Sequence, residues 1–545
     1  MPHPEPLVAS EAYAYPLLIK QLWHAPLNNT PDQEIVYRDR VRYRYRDLRQ
    51  RVGRLASALA EQGVGFGDSV AVMDWDSHRY LEAYYAVPMM GAVLMTVNIR
   101  LSPEQILYTL NHARPRVVLL NADFAPVYLE IRDQLQSVER VIWISDDDAP
   151  MPDYAHASYE ALLASASAAF EFPDFDENTR ATTFYTTGTT GLPKGVYYSH
   201  RQLVLLALAG MAALASPASQ QRFHRGDVYM PLTPMFHVHA WAMPYVALQL
   251  GVKQVYPGRY VPEQILRLIQ AERVTFSHCV PTVLQMLLAQ LPQDSKALSG
   301  WKVVIGGSAL PTGLAQAACG FGIDVFAGYG MSETGPIVTI AQLSPDVEQQ
   351  DAATQLAHRC RAGMAIPLVD LRIVEPDMHD VPRDGSSSGE IVVRAPWLTQ
   401  GYLGNAEASD ELWAGGYLHT QDIGLFDGAY LRITDRIKDV IKTGGEWVSS
   451  VQIEDYISQL DAVNEVAVIG ARDEKWGERP VTLVVLRDGH VLSEADVKAY
   501  IAAFAERGEI SKYAIPDTIR FVDALAKTSV GKYNKKLMRE RYAAG

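Results

Sequence analysis

The sequence predicts an α/β protein with a large N-terminal region of layered sheets and helices, plus a small, mobile α+β domain at its C-terminus. The chain has 545 residues, which at roughly 150 residues per domain is too long for a single hydrophobic core. Up to Val440, short apolar runs alternate with longer segments of helical spacing. Near 435–445 the sequence DRIKDVIKTGG is charged and then rich in glycine, which indicates a hinge between two folded units.

The apolar runs of the large region define its strands. Runs that are short, rich in β-branched residues and bounded mostly by Gly, Pro or Asp predict buried strands. These runs are Ser69–Met73, Arg116–Leu120, Arg140–Ile144, Val274–Ser277 and Lys302–Ile305. Segments with helical spacing, such as Asp47–Gln62 and Pro262–Glu272, lie between them. Strands that alternate with helices predict a largely parallel sheet covered on both faces.

The residues after the hinge predict a second, compact unit. Glu465–Gly470 and Pro480–Leu486 have the pattern of strands. Ser493–Ala505 predicts a helix, because Ser493 can cap its N-terminus and acidic residues occupy its first turn. Strands and a helix in so short a segment indicate a small α+β domain.

Composition excludes several classes of protein. Apolar residues make up 48% of the chain and charged residues 21%, which is ordinary for a globular protein and excludes a mainly disordered one. The formal net charge is −14, and this acidic balance argues against binding a nucleic-acid backbone. The cysteines Cys279, Cys319 and Cys360 are too far apart for a disulfide framework or a close-spaced zinc site, so a reducing compartment is expected.

The sequence also bears on location. Residues 1–20 lack the basic start and apolar core of a secretory signal. The longest apolar run, Leu203–Ala215, is shorter than the about 20 residues of a membrane span and predicts a buried helix. We therefore expect a cytoplasmic protein with no transmembrane segment and no nucleic-acid partner. Peripheral membrane contact and a homodimer stay open.

The segment Tyr185–Val196, YTTGTTGLPKGV, predicts a phosphate site at the end of a strand. Its glycines allow close approach of backbone N–H groups to an anion, its threonines can donate hydrogen bonds, and Lys194 adds charge. It does not match the Walker pattern GxxxxGK[ST], because Lys194 precedes a glycine. No GxGxxG follows a strand either. A P-loop phosphotransferase and a dinucleotide-binding enzyme are therefore disfavoured.

This segment resembles the phosphate signature of the acyl-adenylate-forming superfamily, which includes acyl-CoA synthetases, luciferases and peptide-synthetase adenylation domains. Six further segments are similar to the family's motifs, in the family's order. They are Pro234–Trp241 (PMFHVHAW), Gly306–Pro311 (GGSALP), Gly328–Pro336 (GYGMSETGP), His419–Gly424 (HTQDIG), Asp435–Ser450 (DRIKDVIKTGGEWVSS) and Lys527–Lys536 (KTSVGKYNKK). GGEWVSS and FHVHAW most resemble medium- or long-chain fatty acyl-CoA synthetases.

The resemblance implies a function. It implies that the protein uses ATP to convert a fatty acid, expected to be of medium chain length, to acyl-AMP with release of pyrophosphate. The acyl group would then be transferred to coenzyme A with release of AMP. ATP, Mg²⁺ and coenzyme A would be required, and the partner would be a small carboxylic acid. Alternatives are a short-chain thioether-acid ligase of the methylthiopropionate type and an adenylating enzyme that serves a carrier protein. An inactive lipid- or nucleotide-binding protein is the non-enzymatic alternative.

The resemblance also assigns site residues. The ATP and AMP site would comprise Thr186, Thr187, Gly188, Thr189, Thr190, Gly191, Lys194, Gly307, Ser308, Ala309, Tyr329, Gly330, Met331, Ser332, Asp422 and Arg436. The acyl pocket would comprise His237, Val238, Trp241 and Gly306. Gly444, Gly445 and Glu446 would form the coenzyme A tunnel. Lys438 matches the family's hinge, which divides the chain into residues 1–436 and 437–545.

Three residues would be catalytic: Lys532, His237 and Glu333. Lys532 would bridge the substrate carboxylate and the α-phosphate, His237 would gate the thiol, and Glu333 would bind Mg²⁺.

Several of these roles have rivals. If the segment around His237 is extended, His239 lies on the same side and is a second candidate for the gate. Tyr329 would stack on adenine or be a core residue, and Trp241 would border the acyl pocket or belong to the core. Gln421 replaces a glycine of the family's ribose motif, so the backbone conformation at this position is not determined by the resemblance.

Overall fold

The structure is a computed structural model, and it describes residues 9–147, 149–186, 192–215, 220–292, 294–444, 446–528 and 531–543. The strands in these ranges are β1 (Glu34–Tyr37), β2 (Val41–Arg44), β3 (Ser69–Met73), β4 (Val93–Thr96), β5 (Pro115–Asn121), β6 (Arg140–Ile144), β7 (Ala157–Ser158), β8 (Arg180–Thr186), β9 (Lys194–Ser199), β10 (Val228–Pro231), β11 (Lys253–Tyr256), β12 (Phe276–Cys279), β13 (Lys302–Ile305), β14 (Asp324–Tyr329), β15 (Thr339–Ile340), β16 (Met364–Ala365), β17 (Asp370–Val374), β18 (Gly389–Arg394), β19 (Trp413–Ala414), β20 (Tyr417–Asp427), β21 (Tyr430–Arg436), β22 (Ile441–Thr443), β23 (Glu446–Val448), β24 (Val463–Asp473), β25 (Gly477–Leu486) and β26 (Thr518–Phe521).

The α-helices in the same ranges are α1 (His24–Asn29), α2 (Tyr45–Glu61), α3 (His78–Met89), α4 (Pro103–Ala113), α5 (Ala125–Ile131), α6 (Tyr159–Ser165), α7 (His200–Ala215), α8 (Val238–Trp241), α9 (Met243–Leu250), α10 (Pro262–Glu272), α11 (Pro281–Leu288), α12 (Thr312–Gly320), α13 (Pro345–Glu348), α14 (Ala352–Arg359), α15 (Ala406–Leu412), α16 (Ser450–Ser458), α17 (Glu494–Glu506) and α18 (Lys535–Tyr542). None of these helices has the length and apolar character needed to cross a lipid bilayer.

Two large sheets form most of the N-terminal region. One has the strand order β7-β6-β5-β3-β4-β8-β9, and the other has the order β16-β15-β14-β13-β12-β10-β11-β1-β2. Pairing is parallel through the middle of both sheets and antiparallel at β8–β9, β1–β2 and β14–β15–β16. The central strands, such as β3 and β4, are short, apolar and buried on both faces because helices cover them, whereas the edge strand β2 is partly exposed.

Helix α3 shows how the two sheets share one core. All of its residues are buried, and it contacts β1 of one sheet and β3, β4 and β8 of the other. A helix that is buried all round must pack between layers rather than at the surface. The buried cluster accordingly runs through both sheets and the helices between them.

Two smaller sheets follow. Strands β17 to β21 form an antiparallel sheet that ends at Arg436, and β22 to β26 form the sheet of the C-terminal unit. This last sheet has its own cores, one with α16 and α17 and one with α18. The predicted boundary at 436/437 falls in the turn between β21 and β22.

The α/β fold class predicted from the sequence is confirmed, as are the strands at 69–73, 140–144 and 302–305 and the helix at 262–272. The run Val274–Ser277 is displaced, because β12 begins at Phe276 and continues to Cys279. The run Leu203–Ala215 lies in helix α7, as expected, and this helix is largely buried, although Leu208 is 38% exposed.

Candidate active site

The site lies at the carboxyl end of the nine-stranded sheet, where ligands bind in open α/β sheets. Gly306 and Gly307 follow β13, and Tyr329 ends β14. A narrow cleft opens beside them. The predicted residues that line this Lys532 cleft are His237, Trp241, Gly306, Gly307, Tyr329, Gly330, Met331, Ser332 and Lys532. Residues distant in sequence, from two folded units, therefore meet at one place.

The two glycines after β13 permit close approaches that a side chain would block. A Cβ on Gly306 would lie 2.9 Å from Trp241 Cη2 and 3.1 Å from the Gly328 carbonyl oxygen. Gly307 has φ +81°, and a Cβ there would lie 3.1 Å from Lys532 Cε and 3.1 Å from Val280 Cγ1. Gly307 thus needs both the left-handed backbone and the absence of a side chain.

Lys532 reaches the cleft from a loop of the C-terminal unit. The Lys532 N–H donates to Thr528 Oγ1 at 3.2 Å, and the Thr528 N–H donates to the Lys532 carbonyl at 2.7 Å. Thr282, in α11 of the large region, donates its hydroxyl to the Gly531 carbonyl at 3.4 Å. Burial, with a smaller contribution from Arg436, lowers the pKa of Lys532 to about 8.

Asp422 is held by two donors at the edge of the cleft. Tyr329 donates its hydroxyl to Asp422 Oδ2 at 2.8 Å, and Arg436 Nε lies 3.1 Å from Oδ1. Asp422 and Arg436 are partners in the β20–β21 ladder, which fixes this pair. A carboxylate has about four acceptor positions, so both oxygens can accept a further hydroxyl donor. Tyr329 is 8% exposed, so it serves as a wall of the cleft with its hydroxyl on Asp422.

Glu333 and Lys194 are linked through Tyr402, which the sequence analysis did not select. Tyr402 donates its hydroxyl to Glu333 Oε1 at 2.7 Å, and Lys194 Nζ lies 4.7 Å from the centre of the Tyr402 ring. The Leu403 N–H donates to the Gly195 carbonyl at 2.8 Å, which holds Tyr402 against β9. Glu333 and Lys194, which belong to two separate motifs, therefore both contact Tyr402.

The segment that carries His237 is held by three side chains: Asp76 in the loop after β3, Tyr84 in α3 and Thr96 in β4. Asp76 Oδ1 accepts from the Met235 N–H at 2.8 Å, Thr96 donates its hydroxyl to the Phe236 carbonyl at 2.9 Å, and Tyr84 donates to the Met235 carbonyl. Burial, followed by the charge of Lys532, lowers the pKa of His237 to about 3. His237 is therefore neutral near pH 7.

The residues after His237 are not extended, so the premise that made His239 a rival is wrong. Residues 238–242 all have φ between +46° and +58°, which is one turn of left-handed helix. This turn buries His239 between the rings of Tyr84 and Phe184. It places Trp241 in the cleft wall, where its ring lies 5.1 Å from that of His278.

Trp241 combines the two predicted alternatives, because it lines the cleft and is only 5% exposed. Val238 is buried in the core. Gln421 has φ +59°, in the left-handed region that favours glycine.

Other predicted residues lie apart from the cleft or outside the described part of the chain. Thr187, Gly188, Thr189, Thr190, Gly191 and Gly445 fall outside the described residues. Thr186 is paired with Lys194 across β8 and β9. Ser308 and Ala309 are exposed beyond Gly307, and Lys438 is exposed in the turn before β22.

The predicted tunnel residues that are described, Gly444 and Glu446, lie in the β22–β23 hairpin. A Cβ on Gly444 would lie 3.2 Å from the Trp476 ring and 3.3 Å from the Tyr513 ring. Neither Gly444 nor Glu446 is among the residues that line the Lys532 cleft.

The arrangement can bind a phosphorylated nucleotide with a cation at its reacting end. Lys532 and Arg436 supply positive charge, Asp422 supplies acceptors for hydroxyl groups, and Glu333 is a hard oxygen donor for a cation. The described residues contain no group of three or more His, Cys, Asp or Glu side chains placed to hold a metal ion. Mg²⁺ that accompanies a nucleotide is usually held by one or two carboxylates together with phosphate oxygens and water.

Comparison with known proteins identifies the class to which this fold and cleft belong. Residues 23–403 match the AMP-binding enzyme family, and residues 452–532 match the AMP-binding enzyme C-terminal domain. The first match alone covers more than half of the chain. The protein belongs to the AMP-binding enzyme family.

Three curated relatives are similar over almost their whole length. A long-chain-fatty-acid–CoA ligase of Thermus thermophilus is 39% identical over 502 residues, which are 91% of this chain and 90% of the relative. A 3-methylmercaptopropionyl-CoA ligase of Ruegeria pomeroyi is 36% identical over 498 residues, 90% of each chain. A medium-chain-fatty-acid–CoA ligase of Ectopseudomonas oleovorans is 36% identical over 513 residues, 91% of this chain and 90% of the relative.

A solved structure shares the fold. The crystal structure of ATP-bound MatB from Rhodopseudomonas palustris has a TM-score of 0.82 and 26% sequence identity, and the match covers 97% of this chain and 99% of that one.

Proposed function

We propose that the protein is an AMP-forming fatty acid–CoA ligase that activates a medium-chain fatty acid with ATP and transfers the acyl group to coenzyme A. The observation that carries this proposal is the position of Lys532, whose side chain packs on Gly307 within a cleft that also contains His237 and Trp241. A cation from the small domain is thereby available at the place where a carboxylate and a nucleotide phosphate would meet.

In the first half-reaction a fatty carboxylate attacks the α-phosphate of ATP and pyrophosphate leaves. Two anions approach each other in this step, so fixed cations and donors stabilise the transition state. Lys532 would lie between the carboxylate and the α-phosphate, and Lys194 would contact the departing phosphates. Asp422 would accept the ribose hydroxyls and Arg436 would hold Asp422. The ATP-bound MatB relative supports ATP as the nucleotide.

Mg²⁺ fits the residues around Glu333. Tyr402 holds Glu333 Oε1, which fixes the direction of the carboxylate. When bound, Mg²⁺ would neutralise phosphate charge. Glu333 would orient it and Tyr402 would orient Glu333.

In the second half-reaction coenzyme A attacks the acyl-AMP and AMP leaves. We propose that residues 437–545 turn about Lys438 and carry Lys532 away, so that the tunnel formed by Gly444, Gly445 and Glu446 reaches the acyl group. The separation of Gly444 from the cleft supports such a turn. Neutral His237 would then admit the thiol, since moving an uncharged ring within a buried site costs less desolvation than moving an imidazolium.

The acyl pocket supports a fatty acid as the substrate. Its wall at Trp241 is a large apolar surface, and Gly306 leaves room for that ring. Two of the curated relatives are fatty acid–CoA ligases. The similarity to a 3-methylmercaptopropionyl-CoA ligase makes a short thioether acid the second candidate substrate.

The test is pyrophosphate release measured over a panel of straight-chain acids and 3-methylthiopropionate, with and without coenzyme A. We expect highest kcat/KM for acids of medium length and thioester only when coenzyme A is present. A maximum at 3-methylthiopropionate would favour the second candidate. Equal pyrophosphate release without any thioester would indicate a different acyl acceptor.

The cytoplasmic location and the homodimer stay predictions, and cell fractionation and light scattering of the purified protein test them.

A further inference from the structure

The small domain touches the large region at a contact that no substrate motif includes. Helix α12 begins immediately after the loop 306–311, and its first turn packs against α16 of the small domain. The Thr312 N–H donates to Asp455 Oδ1 at 2.9 Å. The next residue, Gly313, faces the carbonyl end of α16 at Ser458. We call this the α12–α16 contact, and it consists of Thr312, Gly313, Asp455 and Ser458.

Gly313 fits this contact only because it has no side chain. A Cβ on Gly313 would overlap the Ser458 carbonyl oxygen and lie 3.1 Å from the Ser458 carbonyl carbon. Both obstacles are backbone atoms in a helix, so they cannot move aside as a flexible side chain could. The backbone of Gly313 does not have positive φ, so alanine is compatible with its conformation.

The contact shares its loop with the catalytic site. At the start of the loop 306–311, Gly307 packs against Lys532. At its end, the loop leads into Thr312 and Gly313 at the start of α12. In the small domain, α16 and α18 both pack on β24, and α18 directly follows the loop of Lys532. Fixing α16 on α12 therefore fixes the place at which Lys532 enters the cleft.

We propose that Gly313 and Asp455 are positioning residues for the first half-reaction: they dock the small domain in the orientation that brings Lys532 to Gly307. When the small domain turns for thioester formation, α16 leaves α12 and the contact is lost. This inference rests on the proposed function, because it assigns the contact to one of two half-reactions.

The test is Gly313→Ala, with acyl-AMP formation and thioester formation from supplied acyl-AMP measured separately. Overpacking against helix backbone should slow acyl-AMP formation roughly ten-fold or more. Thioester formation should change less than about two-fold, because the contact is absent in that orientation. Gly320→Ala is the matched control, since Gly320 lies in the same helix and its Cβ would meet nothing within 4 Å.

Asp455→Ala is the second variant, and it covers the case in which Gly313→Ala fails to fold. It removes the acceptor of the Thr312 N–H and should slow acyl-AMP formation selectively in the same way. Equal losses in both half-reactions would show a general structural role and overturn the proposal. So would a Gly313→Ala enzyme that behaves like Gly320→Ala. A wild-type enzyme that forms no acyl-AMP from any acid would instead refute the proposed function.

Discussion

Replacing Trp241 by alanine should change which acids the enzyme prefers. The indole is 5% exposed, lies beside Gly306 and His278, and forms part of the cleft wall. Its removal opens space for additional methylenes, each worth about 0.8 kcal/mol when buried. Two or three further buried methylenes would shift the preference toward longer acids by about ten-fold or more. The loss of a buried large side chain should also cost roughly 3–5 kcal/mol of stability.

The assay is the chain-length profile of kcat/KM for wild type and Trp241→Ala, taken beside a thermal melt. Trp301→Phe is a suitable control, because Trp301 is 2% exposed in the core and its indole N–H donates to Ser277 Oγ at 3.1 Å. It should lower the melting temperature and leave the profile unchanged. A Trp241→Ala profile that is lowered uniformly for all acids would refute the pocket assignment and make Trp241 a core residue only.

Three further changes test the roles of Lys532 and Glu333. Lys532→Ala should abolish acyl-AMP formation and spare thioester formation from supplied acyl-AMP, and equal losses would contradict a turn of the small domain. Glu333→Gln should slow adenylation and raise the Mg²⁺ concentration for half-maximal rate, because an amide is a poorer ligand for a hard cation; an unchanged titration with full activity would count against the metal role. Since burial lowers the pKa of Lys532 to about 8, its charged form is lost as pH rises through 8, and kcat/KM for adenylation should fall above that pH. In Lys532→Arg the guanidinium stays charged, so the fall in rate above pH 8 should disappear. If the same fall remained in this variant, it would have to be assigned to another group.

The resemblance to family motifs, which are local in the sequence, supplied the candidate residues of the site. Motifs that follow strands, such as Gly306–Gly307 after β13 and Tyr329 at the end of β14, lie at one sheet edge because parallel strands all end there. The fold class could be predicted because the alternation of strands and helices is also visible in the local sequence pattern.

The missed features depend on contacts between distant segments. Tyr402 meets Glu333 across 69 residues of sequence, and Asp76 meets Met235 across 159. No periodicity links such pairs, although an isolated aromatic residue after Gly401 in a turn could have been noted. The left-handed turn at 238–242 was also missed, because it contains no glycine and its apolar residues are equally typical of a strand.

The central claim is that the cleft joins a carboxylate to AMP with the help of Lys532. The most direct measurement is a single turnover of wild-type enzyme with ATP, Mg²⁺ and a medium-chain acid, without coenzyme A, with every nucleotide product quantified after quenching. We predict enzyme-bound acyl-AMP and pyrophosphate in equal amounts, and complete conversion to acyl-CoA and free AMP when coenzyme A is then added. Formation of ADP and phosphate, or consumption of ATP with no acyl-AMP, would contradict the account.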